Sequence, residues 1–347
     1  MMFCTVFKLG ALGCRCRSAA LRVVGLFFLS IALPLWPLSA AAATWHMPTA
    51  YPVTSFHTIN LEQFADDVKS ATGGRVEIKV HSAGSLFKHP EIKKSVRSGQ
   101  VQIGEFLLSQ LANESPLFQV DSIPFLATTY EDAAVLWDVT KPRIQTLLAA
   151  EGLTVLFAVP WPPQALYTRK QVEKVEDLRG VKLRTYNSAQ ERLAALVGAV
   201  PTQVEVTDIP QAFSTGRIDA MITSASTGVS SRAWEFLTHY YHTRAWLPKN
   251  VVVVNTKAFR SLTKKDQDAV LAAAGAAEQR GWAMSRDETD EKLVLLKANG
   301  LNVRNPSAEL TAGLQEFGRI MAEEWAAQAG AEASAIVAEF RAVQGAR

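Results

Sequence analysis

The chain has 347 residues, 48% of them hydrophobic and 20% charged, with 20 glycines and 15 prolines. This balance excludes a disordered tail protein, a collagen-like chain and a multi-span membrane protein, and the length suffices for two lobes with buried cores. The formal charge is +3, but Lys8, Arg15, Arg17 and Arg22 fall within residues 1–43, where there is no acid. With those four set aside, the 36 basic and 33 acidic residues become 32 and 33, so no basic surface for nucleic acid is expected.

In chain order, residues 1–43 read as a secretory signal. A basic segment ends at Arg22, an apolar run covers Val23–Leu35, and Ala41-Ala42-Ala43 supplies small residues for cleavage. The apolar run is short for a membrane span and is interrupted by Pro34 and Pro37. The expectation is export to the periplasm. Cys4, Cys14 and Cys16 all lie in this leader, so the exported chain is expected to have no disulfide, thiolate zinc site or cysteine nucleophile.

The exported part begins with TWHMPTAYP, a short strand and a loop that ends near Tyr51. Leu61, Phe64 and Val68 recur at helical spacing until Gly73-Gly74, and RVEIKVH alternates as a strand. A helix over Pro90–Ser98 stops at Gly99 and opens into VQIGEFLL. DSIPFLATTYEDAAVLW turns through Pro124 into another helix, and LTVLFAVPWPPQ is a buried strand stopped by prolines. From Asp177 the same grammar returns. RGVKLRTYN is a strand, Ser188-x-x-Glu191 is a capping box, Asp208-x-x-Gln211 opens a helix that stops at Gly216, and RIDAMI is a strand. KNVVVVNTKAF is a strong strand. Thr263 caps a helical tract to about Asn299, with Gly275 and Gly281 as expected bends, and the last forty residues read as Ala- and Glu-rich helix.

The recurrence predicts an α/β fold of two lobes joined by a hinge, as in periplasmic binding proteins, with the long helix lying across both. The expected division is 44–162 plus 249–285 for the first lobe and 163–248 plus 286–347 for the second. No nucleophile elbow, zinc-binding helix, P-loop or dinucleotide fingerprint is present, so no catalytic residue, metal or cofactor is assigned. His239-x-x-His242 has helical spacing, but two histidines alone are a weak metal signal.

Ligands of open α/β sheets collect at the carboxyl ends of strands. Arg184 stands at such an end, and the helix start at Ser188 is expected to face the same crevice; the guanidinium fork suits a carboxylate. Thr223 and Ser224 close the following strand with hydroxyls. Trp161 and Gln164 mark the first crossing between lobes, and Trp246 precedes the second. Glu105 and Tyr51 complete the set of ligand-binding candidates. The rival readings are an enzyme using Glu105 or Asp219 as base, and a binding module that reports to a sensor kinase.

Six segments in register, ATGGRVEIKVHSAGSL, SGQVQIGEF, DSIPFLATTYEDA, VEDLRGVKLRTYN, GRIDAMI and LPKNVVVVNTKAFRSL, resemble the substrate-binding proteins of TRAP (tripartite ATP-independent periplasmic) transporters, in the dicarboxylate-receptor branch. The resemblance implies a two-lobed periplasmic receptor that closes on an organic acid and presents it to the permease subunits in the membrane; a monomer is expected over an oligomer. It also implies that Arg184 is the carboxylate-binding arginine. Two positions depart from the family pattern: Gln164 stands where a second arginine is common, and Thr223 where an asparagine is usual. Loss of a cation and an amide points to a monocarboxylate with an apolar, even aromatic, body.

Overall fold

The structure, a computed structural model, describes residues 42–345; the leader reading of 1–43 falls, but for its last two residues, outside them. The chain opens with β1 (Ala43–Pro48), α1 (Phe56–Thr72), β2 (Val76–His81), α2 (His89–Arg97) and β3 (Ile103–Leu107). It continues through α3 (Tyr130–Ala150) and β4 (Leu153–Pro160). Then come β5 (Ala165–Thr168), β6 (Lys182–Thr185), α4 (Ser188–Leu196), β7 (Val200–Gln203), α5 (Ile209–Ser214), β8 (Ala220–Thr223), α6 (Ala225–Ser230) and β9 (His239–Tyr241). The last part holds β10 (Lys249–Asn255), α7 (Thr256–Arg260), α8 (Lys264–Ala298), β11 (Asn302–Arg304), α9 (Ala308–Ala329) and α10 (Ala331–Gly345).

The expected helix ends are visible as chemistry. Gly73 terminates α1 in the left-handed region at φ 61°, where a side chain would be strained, and Gly74 N–H reaches back to the Lys69 carbonyl at 2.8 Å. Thr263 caps α8 by accepting from Asp266 N–H, and Asn299 closes it. Two expectations shift. The cap of α4 is Asn187, whose side chain accepts from Gln190 N–H at 2.9 Å, and Ser188 is already helical. His239 lies in strand β9, where positions three apart point to opposite faces, so His239 and His242 do not share the helical face their spacing implied.

Two bodies of sheet result. In the first, β1 pairs parallel with β2, and β10 lies antiparallel between β3 and β4. The Val251–Val254 run of β10 is buried on both faces, as a continuous apolar strand must be. The second is a six-stranded sheet in the order β11-β9-β5-β8-β6-β7, with β6 parallel to both β7 and β8. The chain crosses between these bodies at residues 161–164 and again at 242–248. The two crossing segments are tied together: Trp161 N–H donates to Pro248 O at 2.8 Å, and Gln164 and Ala245–Trp246 exchange backbone bonds of 2.9 Å.

Helix α8 spans both lobes. Val270, Ala273, Ala274 and Ala277 join the core of Phe64 and Phe157, whereas Leu296 packs with Phe213 and Ile218 beneath the second sheet. It runs unbroken through Gly275 and Gly281, the expected bends. At Gly281 the reason for glycine is close approach: an added Cβ would lie 2.4 Å from Val159 Cγ2 and 2.7 Å from Asn60 Nδ2. The C-terminal helix divides at Gly330. Ile336 and Phe340 of α10 pack with Val135 and Leu136 of α3, so this segment returns to the elements of the first lobe, contrary to its expected place with 286–347 in the second.

The two α8 glycines should respond to substitution with opposite signs. A Cβ added at Gly275 would meet no atom within 4 Å, so Gly275→Ala should raise stability by about 0.5–1 kcal/mol through helix propensity. Gly281→Val should lower it by about 1–3 kcal/mol through overpacking against Val159. Thermal unfolding of the two variants checks the pair.

Candidate functional site

Parallel strands place their carboxyl ends at one edge, and a cleft whose free space, counting that open to solvent, is about 390 Å³ lies where that edge of the second sheet faces the first lobe. Arg184, on β6, is its central charged group. The side chain is 3% exposed, Nε donates to Val204 O at 2.9 Å, and the guanidinium lies 5.0 Å over the Tyr186 ring. Among the described residues no carboxylate stands within 4 Å of it, and its Nη groups have no protein acceptor. Burial lowers its pKa to about 10, with Tyr186, Glu205 and Tyr51 opposing the shift, so the group stays cationic at neutral pH. A guanidinium anchored through Nε and open at its Nη pair is prepared for a planar anion.

From the second lobe the wall continues with Tyr186, Thr223, Ser224 and Thr227. Thr223 Oγ1 has no hydrogen-bond partner among the described residues, whereas Ser224 Oγ caps α6 by accepting from Thr227 N–H at 3.1 Å. The helix start at this cavity is therefore α6. The start of α4 at Ser188, expected beside Arg184, is not part of the lining. From the first lobe come Tyr51, His89, Leu107 and Gln110, with Trp161, Gln164 and Pro248 from the crossings. Tyr51 and Trp161 are 4.8 Å apart by ring centroid, and both donate to Asn250 Oδ1, at 3.2 and 2.9 Å. They form a fixed aromatic face. Gln164 is braced at both ends of its amide: Nε2 donates to Pro162 O and Oε1 accepts from Tyr186 Oη.

Two expected ligand contacts lie behind the wall. Trp246 belongs to the core of the second lobe with Leu166, Leu183 and Tyr241, and its Nε1–H donates to Tyr186 Oη at 3.3 Å. It steadies a lining residue without lining the cavity. Glu105 points from β3 into the first lobe, accepts from Thr49 Oγ1 at 2.6 Å and faces His57 Nδ1 at 3.0 Å. Burial by itself raises the Glu105 pKa, but the facing His57 and the bond from Thr49 are the main opposing influences, and the net shift is downward. Asp219, the other expected base, is near Arg169 and outside the cavity.

Sequence reasoning missed Tyr186, His89, Glu205 and Gln110. Tyr186, two residues past Arg184 in RTYN, alternates onto the same face and was within reach of a strand-period argument. The other three depend on contacts between lobes. His89 Nε2 accepts Leu107 N–H at 3.0 Å, which leaves the ring proton on Nδ1, 3.7 Å from Glu205 Oε2.

A bilobed α/β molecule with one buried, open-ended cation at the junction of its lobes is the architecture of a receptor for a small acid. The family model for bacterial extracellular solute-binding proteins, family 7, matches residues 49–329, and the chain belongs to this family, whose members serve TRAP transporters. Among solved structures, two Bordetella pertussis extracytoplasmic solute receptors, DctP7 and DctP6, both binding pyroglutamic acid, are 43% and 41% identical. Each covers 86% of this chain, over 100% and 99% of its own length, with a TM-score of 0.85. A marine metagenome TRAP protein specific for pyroglutamate is 40% identical over 87% of this chain and 99% of its own, also at 0.85.

The Glu105 pair carries a pH signature. A carboxyl with a folded pKa below its unfolded value contributes stability above about pH 4.3, and that stability is lost as pH falls through the folded value. Denaturation measured from pH 7 down to pH 3 should show this acid limb, and Glu105→Gln should flatten it even though the variant is less stable at neutral pH.

Proposed function

We propose that this chain binds pyroglutamate, or a cyclic monocarboxylate very like it, in the cavity around Arg184, and does not transform it. The observation that carries this reading is the Arg184 guanidinium, buried and fixed through Nε, with its Nη pair unpartnered among the described residues. The receptors that are 40–43% identical are described as binding pyroglutamate. The ligand carboxylate lies on the Nη fork, Thr223 supplies a hydroxyl, and the flat ring rests on Tyr51 and Trp161. Ser224 and Gln164 hold this arrangement in place, with Trp246 and Glu105 one layer behind. A single cation and the braced Gln164 favour a monocarboxylate, as the departures from the family pattern imply.

In the working cycle, the lobes turn about the crossings at 161–164 and 242–248. Contacts drawn from both lobes favour the closed form, and only that difference in affinity shifts the population. We take 44–162 with 249–285, and 163–248 with 286–329, as the two moving halves, with α10 docked on the first. Residues 1–43 act as a cleaved signal that delivers the chain to the periplasm, where it hands its ligand to the permease.

Calorimetry with pyroglutamate tests the reading. A hydrogen-bonded carboxylate on a buried guanidinium is worth about 1.5–3 kcal/mol, and leaving it unpaired adds a desolvation cost. Arg184→Ala should therefore bind at least about a hundredfold more weakly, and Arg184→Lys should lose much of the affinity because a point charge lacks the fork. In thermal unfolding, ligand at about 100 times its Kd should stabilise the native protein by about 2.7 kcal/mol. Near-wild-type affinity in Arg184→Ala removes Arg184 from the site.

A further inference from the structure

We propose that Glu205 is a specificity-determining residue whose carboxylate accepts an N–H or O–H of the bound acid, restricting the ligands to carboxylates that carry a hydrogen-bond donor next to the acid group. The inference rests on the reading of this cavity as the acid-binding site and deepens it. Glu205 is the residue immediately after Val204, whose carbonyl anchors Arg184 Nε, so the cation and the carboxylate are held at the ends of adjacent parallel strands. Neighbouring strands lie about 4.8 Å apart, which lets these two groups address neighbouring atoms of one small molecule.

Three features separate Glu205 from an ordinary surface acid. It is the one carboxylate among the cavity-lining residues, and no lysine or arginine among the described residues comes within 4 Å to neutralise it. Its side chain is 28% exposed, and it is met from the first lobe by His89, whose Nδ1 is aimed at Oε2 because Nε2 is committed to Leu107 N–H. Although burial raises its pKa, the facing His89, the Arg184 cation and Gln110 together hold it below the usual carboxylate range. An ionised carboxylate has lone pairs and no proton, so the group it meets must donate. A second carboxylate, an ether or an ester oxygen at that point meets lone pairs with lone pairs. An amide or amine N–H makes a charge-assisted bond.

The test compares two ligands of one shape: pyroglutamate and the corresponding γ-lactone acid, in which oxygen replaces the ring N–H. Wild type should prefer pyroglutamate by about tenfold or more, the range of a hydrogen bond to a charged group. Glu205→Gln, whose amide also donates, should bring the two ligands within about threefold of each other, whereas Glu205→Asp should keep the preference. A structural role, in which Glu205 only holds His89 across the lobes, predicts that Glu205→Gln weakens both ligands equally. That result overturns the proposal and leaves the pyroglutamate reading standing. If wild type ignores pyroglutamate but prefers another N–H-bearing acid over its oxygen counterpart, and Glu205→Gln loses that preference, the acceptor role stands and the pyroglutamate reading falls. A tightest ligand with neither N–H nor O–H donor beside its acid group, found by thermal-shift screening of organic acids, overturns both.

Discussion

A positive charge taken out of water without a counter-ion is among the costlier things a fold can hold, and Arg184 is such a charge. The protein meets part of that cost by a backbone carbonyl at Nε, the π-face of Tyr186 and the more distant field of Glu205. None of these closes the Nη end. The rest of the site follows from keeping that end rigid and dry. The carbonyl that holds Nε belongs to the segment leaving β7, so the parallel pairing of β6 with β7 fixes where the fork points. Tyr186, two residues further on, is itself held by Gln164 and Trp246. A loosely placed arginine would spend binding energy on ordering its own side chain; this one is ordered beforehand.

The same residues connect recognition to motion. Gln164 sits on one crossing and bonds through its backbone to the other, while its side chain reaches Tyr186 beside the cation. A shift at the crossings is therefore felt at the cavity wall within one side chain. Contacts between the lobes include apolar ones, such as Tyr186 in the core of Trp161 and Phe125 against the core of Leu314, and polar ones, such as Asn187 Nδ2 donating to Ser109 Oγ at 2.9 Å and the approach of His89 to Glu205. Polar contacts of this kind exchange with water at little net cost. In the proposed cycle these polar contacts yield readily, whereas α8, packed into both cores, preserves the connection of the lobes.

How much of this was legible in sequence depended on range. Strand and helix periods, caps and stops along one segment located β2, β4, β6, β8, β10, α1 and α8, and the rule of strand ends singled out Arg184. The three-residue strands β9 and β11 carry too few alternations to register. Asn187 displaced Ser188 as cap because either residue is a competent one and only the geometry of the preceding strand decides. Glu105 was misplaced because β3 is buried along its whole length, and its fate was settled by Thr49 and His57, nearly fifty or more residues upstream. Trp246 next to a crossing reads equally as wall or core. His89 and Glu205 meet only when the lobes are assembled, which no local pattern records.

Charge count then explains the departure at Gln164. An arginine there would set a second cation in the cavity wall, suited to a ligand with two acid groups. The neutral amide is used as a brace, and the lining holds one cation and one carboxylate. A dicarboxylate bound there would leave one of its charges buried and facing Glu205, a penalty of several kcal/mol that no packing against Tyr51 and Trp161 recovers. An acid with one carboxylate and an adjacent N–H leaves no charge unanswered. On the proposed reading of this cavity, selectivity is set less by its shape than by the sum and order of the charges on two neighbouring strand ends.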